Sequence, residues 1–241
     1  FLYRYSSEAA AAFNEATAIG PVVGAVRAAA PGLPVVVVDD GSTDWTASIA
    51  WAAGARVVRL PFNLGYGVAL QTGYKYALRH GHDCVVQLDG DGQHEPADIP
   101  ALVAAIVGGQ ADVALGSRFL GKDDYHPELL RRIGMQLFSR LAFLLGGSRL
   151  TDITSGFQAL SGEAVRFLAA DRYPADYPDA DVLLMLQRAG FRIREIPVRM
   201  YGRRGGRSMH SGLRPVYYAF KMLLSVSLTS LRREAFDRKG A

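Results

Sequence analysis

The amino-acid sequence predicts an α/β fold with a doubly wound, mostly parallel central sheet flanked by helices. Three observations carry that prediction. Short apolar runs alternate with helix-patterned segments along the first half of the chain. The clearest run, Val35 to Val38, is unbroken and β-branched, as strands buried on both faces are. The chain after such runs is rich in Asp, Asn, Gly and Ser, which turn it out of a strand and expose oxygens at a sheet edge.

Val35 to Val38 is bounded by Pro34 and Asp39 and reads as a buried strand. Ser42-Thr43-Asp44 then offers capping oxygens for a helix that runs to Ala53. Arg56 to Leu60 is the next strand, Gly67 to His80 a helix, and Cys84 to Leu88 a strand. Ala97 to Val107 is helical and Asp112 to Leu115 returns to strand. A first helix is expected after Phe13-Asn14-Glu15-Ala16, whereas Ser6-Ser7-Glu8 and the four alanines that follow have a helix-like composition.

The style changes at Gly121. Leu129 to Leu145 reads as a helix with Arg131 and Arg132 at its start, Thr151 to Ser161 as a loop and strand, Asp179 to Ala189 as a helix. Phe191 to Met200 is a strand of alternating character, and Gly202 to Gly212 is basic and glycine-rich. In the helix from Pro215, Phe220, Leu223, Leu224, Leu228 and Leu231 share one face, with Lys221, Ser225, Thr229 and Arg232 on another. Such a helix either packs on a core or lies in a membrane interface.

At 241 residues, 49% of them hydrophobic, the chain can bury a full core without staples. Cys84 is the only cysteine, which excludes an intramolecular disulfide and fits a reducing compartment; it reads as a buried strand residue. The net charge of +4 is not concentrated as in a nucleic-acid-binding arm. Basic residues thicken after Arg118, through Arg131-Arg132, Arg203-Arg204, Arg207 and Arg232-Arg233, which points to phosphates or an anionic surface. The first residues lack the pattern of a secretory signal. No run reaches the roughly 18 apolar residues of a membrane span; Val216 to Leu231 is interrupted by Lys221, Ser225, Ser227, Thr229 and Ser230.

The chemistry concentrates in Asp89-Gly90-Asp91-Gly92-Gln93-His94, which follows the strand ending at Leu88. Carboxylates two residues apart in an extended segment point to one side, and Gln93 adds a third oxygen there. Oxygen ligands suit a hard divalent cation, Mg²⁺ or Mn²⁺, which also holds substrate phosphates. The same residues also make an ordinary Asp-Gly turn. A calcium EF-loop is excluded, because His94 stands where that loop needs Gly and Pro100 where it needs a bidentate Glu. His94 reads as a phosphate contact or a turn-stabilising imidazole. Three further clusters stand near strand ends: Phe13-Asn14-Glu15-Ala16, Asp39-Asp40-Gly41-Ser42-Thr43-Asp44 and Asn63-Leu64-Gly65-Tyr66-Gly67. None matches a P-loop or the G-x-G-x-x-G fingerprint, which argues against NAD and against ATP held in a P-loop.

Asn14-Glu15, Asp39-Asp40-Gly41-Ser42, Gly65-Tyr66-Gly67, Asp89-Gly90-Asp91 and Gly116-Ser117-Arg118 resemble, in order, the motifs of family-2 glycosyltransferases of the GT-A fold. Thr154-Ser155-Gly156-Phe157 after Asp152 resembles the branch of dolichyl-phosphate mannose synthase and polyprenyl-phosphate glycosyltransferases. The resemblance covers Phe13 to Ser211 and implies a GT-A domain over 1–205, with a nucleotide-sugar half over 1–120 and an acceptor half over 121–205. A basic loop and membrane-proximal helix over 206–241 would follow it.

The resemblance also implies roles. Asn14, Glu15, Asp39 and Asp40 would contact the base and ribose of a nucleotide-sugar, with Gly67 lining the base pocket. Asp89, Asp91 and Gln93 would hold the cation that bridges the donor diphosphate, with Asp89 nearer the sugar and neither Asp the catalytic base. Arg118 would sit near phosphate, and Arg131, Arg204 and Ser208 would grip the lipid phosphate. The activity implied is inverting, metal-dependent transfer of a hexose from a donor such as GDP-mannose or UDP-glucose to a polyprenyl or dolichyl phosphate. Its place would be the cytoplasmic face of a membrane, peripherally held.

An ionised phosphate acceptor needs positioning more than deprotonation, whereas a sugar hydroxyl needs a general base. Asp152 is the candidate for acceptor-side catalysis, or else a turn residue in Thr151-Asp152-Ile153-Thr154. A hydroxyl acceptor and a non-catalytic nucleotide-sugar-binding protein stay open as alternatives. A sugar-nucleotidyltransferase would want a basic Gly-rich loop near the N-terminus, and none is present. The sequence departs from the family pattern where a proline usually precedes the aromatic; Ala11 or Ala12 stands near that place.

Overall fold

The structure, a computed structural model, describes residues 6–121, 150–170, 173–174 and 180–201. Arg131, Arg132, Arg203, Arg204, Arg207, Ser208 and the helices expected over 129–145 and from Pro215 lie outside them. The described elements run β1 (Ser6–Ala12), α1 (Ile19–Ala29), β2 (Val35–Asp39), α2 (Thr46–Ala52), β3 (Arg56–Arg59), α3 (Tyr66–Arg79) and β4 (Cys84–Asp89). After a 3-10 turn at Pro96–Asp98 come α4 (Ile99–Val107), β5 (Val113–Ser117), β6 (Gln158–Ser161), α5 (Gly162–Ala169), α6 (Ala180–Arg188) and β7 (Ile193–Pro197).

The strands form one seven-stranded sheet in the order β3-β2-β1-β4-β6-β5-β7. Every pairing is parallel except those of β6, which runs antiparallel to both β4 and β5. Successive side chains of a strand point to opposite faces, and here the two faces carry separate cores. Ala11, Val38, Val85, Val113 and Leu160 pack on one side with Leu70 and Tyr74 of α3, Leu168 of α5 and Leu186 of α6. Ala12, Val37, Val86, Ala114 and Ala159 pack on the other with Val22 and Val26 of α1 and Leu102 of α4. In α1 the buried residues are Ile19, Val22, Val23 and Val26, the spacing of one helical face.

The segment Ser6–Ala12 corrects an expectation. Its composition favours helix, yet it forms β1, paired on both sides, to β2 from Glu8↔Val35 to Ala12↔Asp39 and to β4 from Ser6↔Cys84 to Ala11↔Asp89. Helix propensities differ by less than about 1 kcal/mol per residue, and two ladders of main-chain hydrogen bonds outweigh them. The strand expected over Phe191 to Met200 is shorter, Ile193–Pro197. Helix α5 had no counterpart in the sequence reading, although the Ser161 hydroxyl caps it by accepting from the Ala164 N–H.

Cys84 is buried at the start of β4, as the sequence predicts, and burial pushes its thiol up to about 12. A raised value in the fold means that stability is intact below the unfolded thiol value and lost as pH rises from there toward 12. Native protein at pH 8 is therefore expected to resist a disulfide-exchange reagent and to release one thiol equivalent on denaturation. Rapid labelling of the native chain would contradict this burial.

Candidate functional site

The carboxyl ends of the parallel strands share one edge of the sheet, and the motifs lie along it. Asn14 follows β1 with φ 56°, in the left-handed region that Asn tolerates better than most residues. Its strain is held by the segment after β2. The Asn14 N–H donates to Ser42 Oγ at 2.9 Å, and Asn14 Oδ1 accepts from the Thr43 N–H at 2.9 Å. The Glu15 N–H donates to Thr46 Oγ1 at 2.8 Å, and Asp44 accepts from the N–H groups of Ala16 and Thr46. The first two motifs thus form one laced unit.

The third motif is held by Asp40. Its Oδ1 accepts from the Leu64 N–H at 2.7 Å and its Oδ2 from the Gly65 N–H at 2.9 Å, and the residue is buried. Gly41 next to it has φ 69°, and a Cβ there would lie 2.4 Å from the Phe62 carbonyl carbon, so only glycine lets the two loops meet. Asp39 is fully buried. Its Oδ1 accepts from the Ser42 N–H, while its Oδ2 lies 3.2 Å from Arg59 Nε without a hydrogen bond among the described residues. Gly67 is buried in the first turn of α3.

Asp89, the last residue of β4, is gripped from both sides. The Tyr66 hydroxyl donates to Oδ1 at 2.8 Å, and His94 Nε2 lies 3.2 Å from Oδ2. His94 itself is buried against the ring of Phe157. Gly156 closes the third side: a Cβ there would stand 2.8 Å from Asp89 Oδ2 and 3.1 Å from the Tyr66 hydroxyl. Burial pushes the Asp89 carboxyl up. The hydrogen bond and charge of His94, the Tyr66 hydrogen bond and the charge of Arg118 outweigh that, and the group sits below the usual carboxylate value. Asp91 accepts from the Gln93 N–H at 3.0 Å and stays partly open to solvent.

The segment after β7 docks on this loop. The Tyr201 N–H donates to the Gln93 carbonyl at 2.7 Å, and Gln93 Nε2 donates to the Tyr201 carbonyl at 3.3 Å. The Tyr201 hydroxyl donates to Glu95, and the Arg199 N–H to Asp98.

Arg118, one residue past β5, meets Asp152 across the edge. Arg118 Nε donates to Asp152 Oδ2 at 2.6 Å and Nη2 to Oδ1 at 2.9 Å, with Nη2 also donating to Thr154 Oγ1 at 3.1 Å. Both residues are buried, and the Asp152 carboxylate has no exposed surface. Losing one partner of such a pair costs about 3–5 kcal/mol, because it strands a buried charge.

The structure therefore gathers Asn14, Glu15, Asp39, Asp40 and Gly67 at the β1-β2-β3 end of the edge, Asp89, Asp91 and Gln93 at its centre, and Arg118 with Asp152 beyond. Arg131, Arg204 and Ser208 are outside the described residues. Among the described residues no three His, Cys, Asp or Glu side chains converge as a metal cage. The oxygens of Asp91 and Gln93, next to Asp89 in the loop, are of the kind that suits a hard cation completing its shell with substrate phosphates and water. Sequence reasoning gave no separate role to Tyr66, although it stands inside a quoted motif, and none to Glu95, Tyr201 or Glu195.

Two outcomes are expected. Gly156→Ala should lower stability by about 1–3 kcal/mol in chemical denaturation, since the Asp89 carboxylate has to move. Tyr66→Phe removes a donor to the ionised form of Asp89. Because a depressed carboxylate contributes stability above its unfolded value of 3.8 and loses it as pH falls, the melting-temperature deficit of Tyr66→Phe should be largest near neutral pH. It should close toward pH 3; a deficit independent of pH would contradict the assignment.

Comparison with known proteins agrees with this geometry. Residues 10–168 match the sequence profile of glycosyl transferase family 2. An undecaprenyl-phosphate mannosyltransferase of Micrococcus luteus is 32% identical over 211 residues, covering 83% of this chain and 85% of that protein. A polyprenol monophosphomannose synthase of Mycolicibacterium smegmatis is 30% identical over 213 residues, covering 83% and 78%. Among solved structures, glucosyl-3-phosphoglycerate synthase from Mycobacterium tuberculosis, crystallised with Mn²⁺ and UDP-glucose, is similar with a TM-score of 0.70. That match spans 94% of this chain and 79% of the other at 23% identity, a likeness of fold. With its motifs on one sheet edge and the profile spanning most of the described residues, the chain belongs to glycosyl transferase family 2 and is a glycosyltransferase of the GT-A fold.

Proposed function

We propose that the protein transfers a hexose from a nucleotide-sugar to a polyprenyl phosphate, with inversion at the anomeric carbon. One observation carries the choice of acceptor: the Asp152 carboxylate is buried and bound at both oxygens by Arg118. Held in this way, Asp152 is a poor general base for a hydroxyl. A phosphate monoester is already ionised near neutral pH and needs only to be placed. Two relatives bear the names of enzymes that act on polyprenyl phosphates, which supports the same acceptor class.

In this reading a phosphate oxygen of the acceptor attacks the anomeric carbon of the donor sugar. The bond from that carbon to the donor diphosphate breaks, and the nucleoside diphosphate leaves with the electron pair. Asp39, with its buried Oδ2, and Glu15 meet the nucleoside, while Asn14 and Asp40 hold the loops that shape its pocket. Asp91 and Gln93 would hold Mg²⁺ or Mn²⁺, with Asp89 turned toward the sugar by Tyr66 and His94. Bound there, the cation neutralises charge on the leaving diphosphate. Arg118 supplies fixed positive charge at the same place. The crystallised relative with Mn²⁺ and UDP-glucose supports a cation in this fold. No helix among the described residues is long and apolar enough to cross a membrane, and the lipid acceptor would be met peripherally, at a cytoplasmic membrane face.

The test is incubation with a panel of UDP- and GDP-sugars, polyprenyl phosphate and Mg²⁺ or Mn²⁺. A lipid-linked sugar from one donor is expected, abolished by chelation and restored by the cation. Asp91→Ala should lower kcat by about 100-fold or more, since charge stabilisation of this type is worth several kcal/mol. Transfer to a saccharide hydroxyl, with the lipid phosphate inert, would overturn the acceptor assignment, and full activity in chelator would overturn the cation.

A further inference from the structure

We propose that Glu195 is a positioning residue for Arg118, acting through the turn that carries Asp152; the inference rests on the reading that Arg118 meets phosphate. Glu195 lies on β7, opposite Leu115 of β5 in the parallel register, so it stands beside the strand that delivers Arg118. Its Oε1 accepts three hydrogen bonds: from the Thr151 N–H at 2.8 Å, the Thr151 hydroxyl at 2.8 Å and the Asp152 N–H at 2.9 Å.

The direction of the remaining bond follows. Thr151 has one hydroxyl proton and gives it to Glu195, so in its 2.7 Å contact with Ser117 Oγ it is Ser117 that donates. Ser117 is the last residue of β5 and the neighbour of Arg118. One carboxylate oxygen therefore holds the Asp152 backbone directly and the end of β5 through Thr151. With both ends fixed, Asp152 presents its two oxygens to Nε and Nη2 of Arg118, and Oδ2 also accepts from the Arg118 N–H at 3.2 Å. The guanidinium plane is set by a bidentate partner, and the partner is set by Glu195. Within the turn itself the bond from Ser155 N–H to the Asp152 carbonyl is long, at 3.4 Å, so Glu195 is the stronger hold.

The role is one of placement and not of folding alone, because β7 keeps its ladder to β5 and its packing by Ile193 and Ile196 without the carboxylate. Misplacement of a positioned group by about 1 Å costs on the order of 100-fold in rate.

The experiment uses the full chain labelled with nitrogen-15 and follows the Arg118 Nε–H resonance, assigned by its loss in Arg118→Lys. Glu195→Ala should move this resonance and speed its exchange with solvent about tenfold or more. Glu195→Gln, which keeps an acceptor oxygen at the same place, should leave both near wild type. An unchanged Arg118 resonance in Glu195→Ala overturns the proposal. Should Glu195→Ala not fold, Thr151→Val removes the hydroxyl link alone and should move the resonance the same way; no movement there overturns it equally.

The resonance needs no substrate, so failure to find a donor or acceptor would count against the transferase reading and leave this test intact. With substrates in hand, Glu195→Ala should lower kcat/KM for the phosphate acceptor about 10- to 100-fold. It should add nothing in an Arg118→Ala background, as expected of residues acting as one unit. Additive losses would overturn the coupling.

Discussion

The two hydrogen-bond ladders of β1 set the geometry of the ligand edge. They pair Ala12 with Asp39 on one side and Ala11 with Asp89 on the other. The first, second and fourth motifs therefore leave the sheet at one level. A parallel strand has no hairpin to fix its register, and a slip by one residue would turn every side chain to the wrong face. Small side chains are what the place demands. A Cβ at Gly90 would come within 3.1 Å of the Ala12 Cβ and 3.2 Å of Ile19, so a bulkier residue at position 12 would push on the turn that carries Asp89 and Asp91. The alanine run is a poor local signal for strand, yet Ala12 suits this crowded place.

That level edge brings many carboxylates together, and their mutual repulsion has to be answered locally. Asp40 takes the N–H groups of Leu64 and Gly65, Asp44 those of Ala16 and Thr46, and Asp39 the Ser42 N–H with Arg59 alongside. Asp89 takes Tyr66 and His94, and Asp152 takes Arg118. The assignment of donors sorts residues of identical chemistry into different duties. Asp40, Asp44 and Asp152 hold other groups in place, whereas Asp91 keeps part of its surface open to solvent. A motif written as acidic residues is thus read correctly only once the donors are known.

This is also where legibility in the sequence ends. The strands at Val35, Arg56, Cys84 and Val113 and the helices between them follow from short apolar runs that alternate with helix-patterned segments, and the edge position of the motifs follows from them. Strand β1 did not, because its identity depends on neighbours distant in sequence. Helix α5 had a legible cap in Ser161 and a Glu in its first turn, in a stretch where strand and helix meet without a linker. The role of Glu195 was out of reach. A single Glu in an alternating strand has the look of a solvated residue, and only the β5-β7 register brings it to Thr151 and Asp152.

The reversal of β6 gives the site its two halves. Because β6 runs against β4 and β5, the chain entering it arrives at the same edge that the parallel strands leave. Were it parallel, residues 152–157 would lie at the opposite edge, and Arg118 would end β5 buried with no carboxylate to face. In the observed direction one short stretch serves both sides. Asp152 grips Arg118, and four residues later the Gly156 backbone closes over Asp89 and the Tyr66 hydroxyl. A shift of this stretch is felt at once by the group that would face the donor sugar and by the cation that would face phosphate. In the proposed transfer, placing nucleophile and leaving group in line would draw on that shared support, which among the described residues comes from one antiparallel strand in an otherwise parallel sheet.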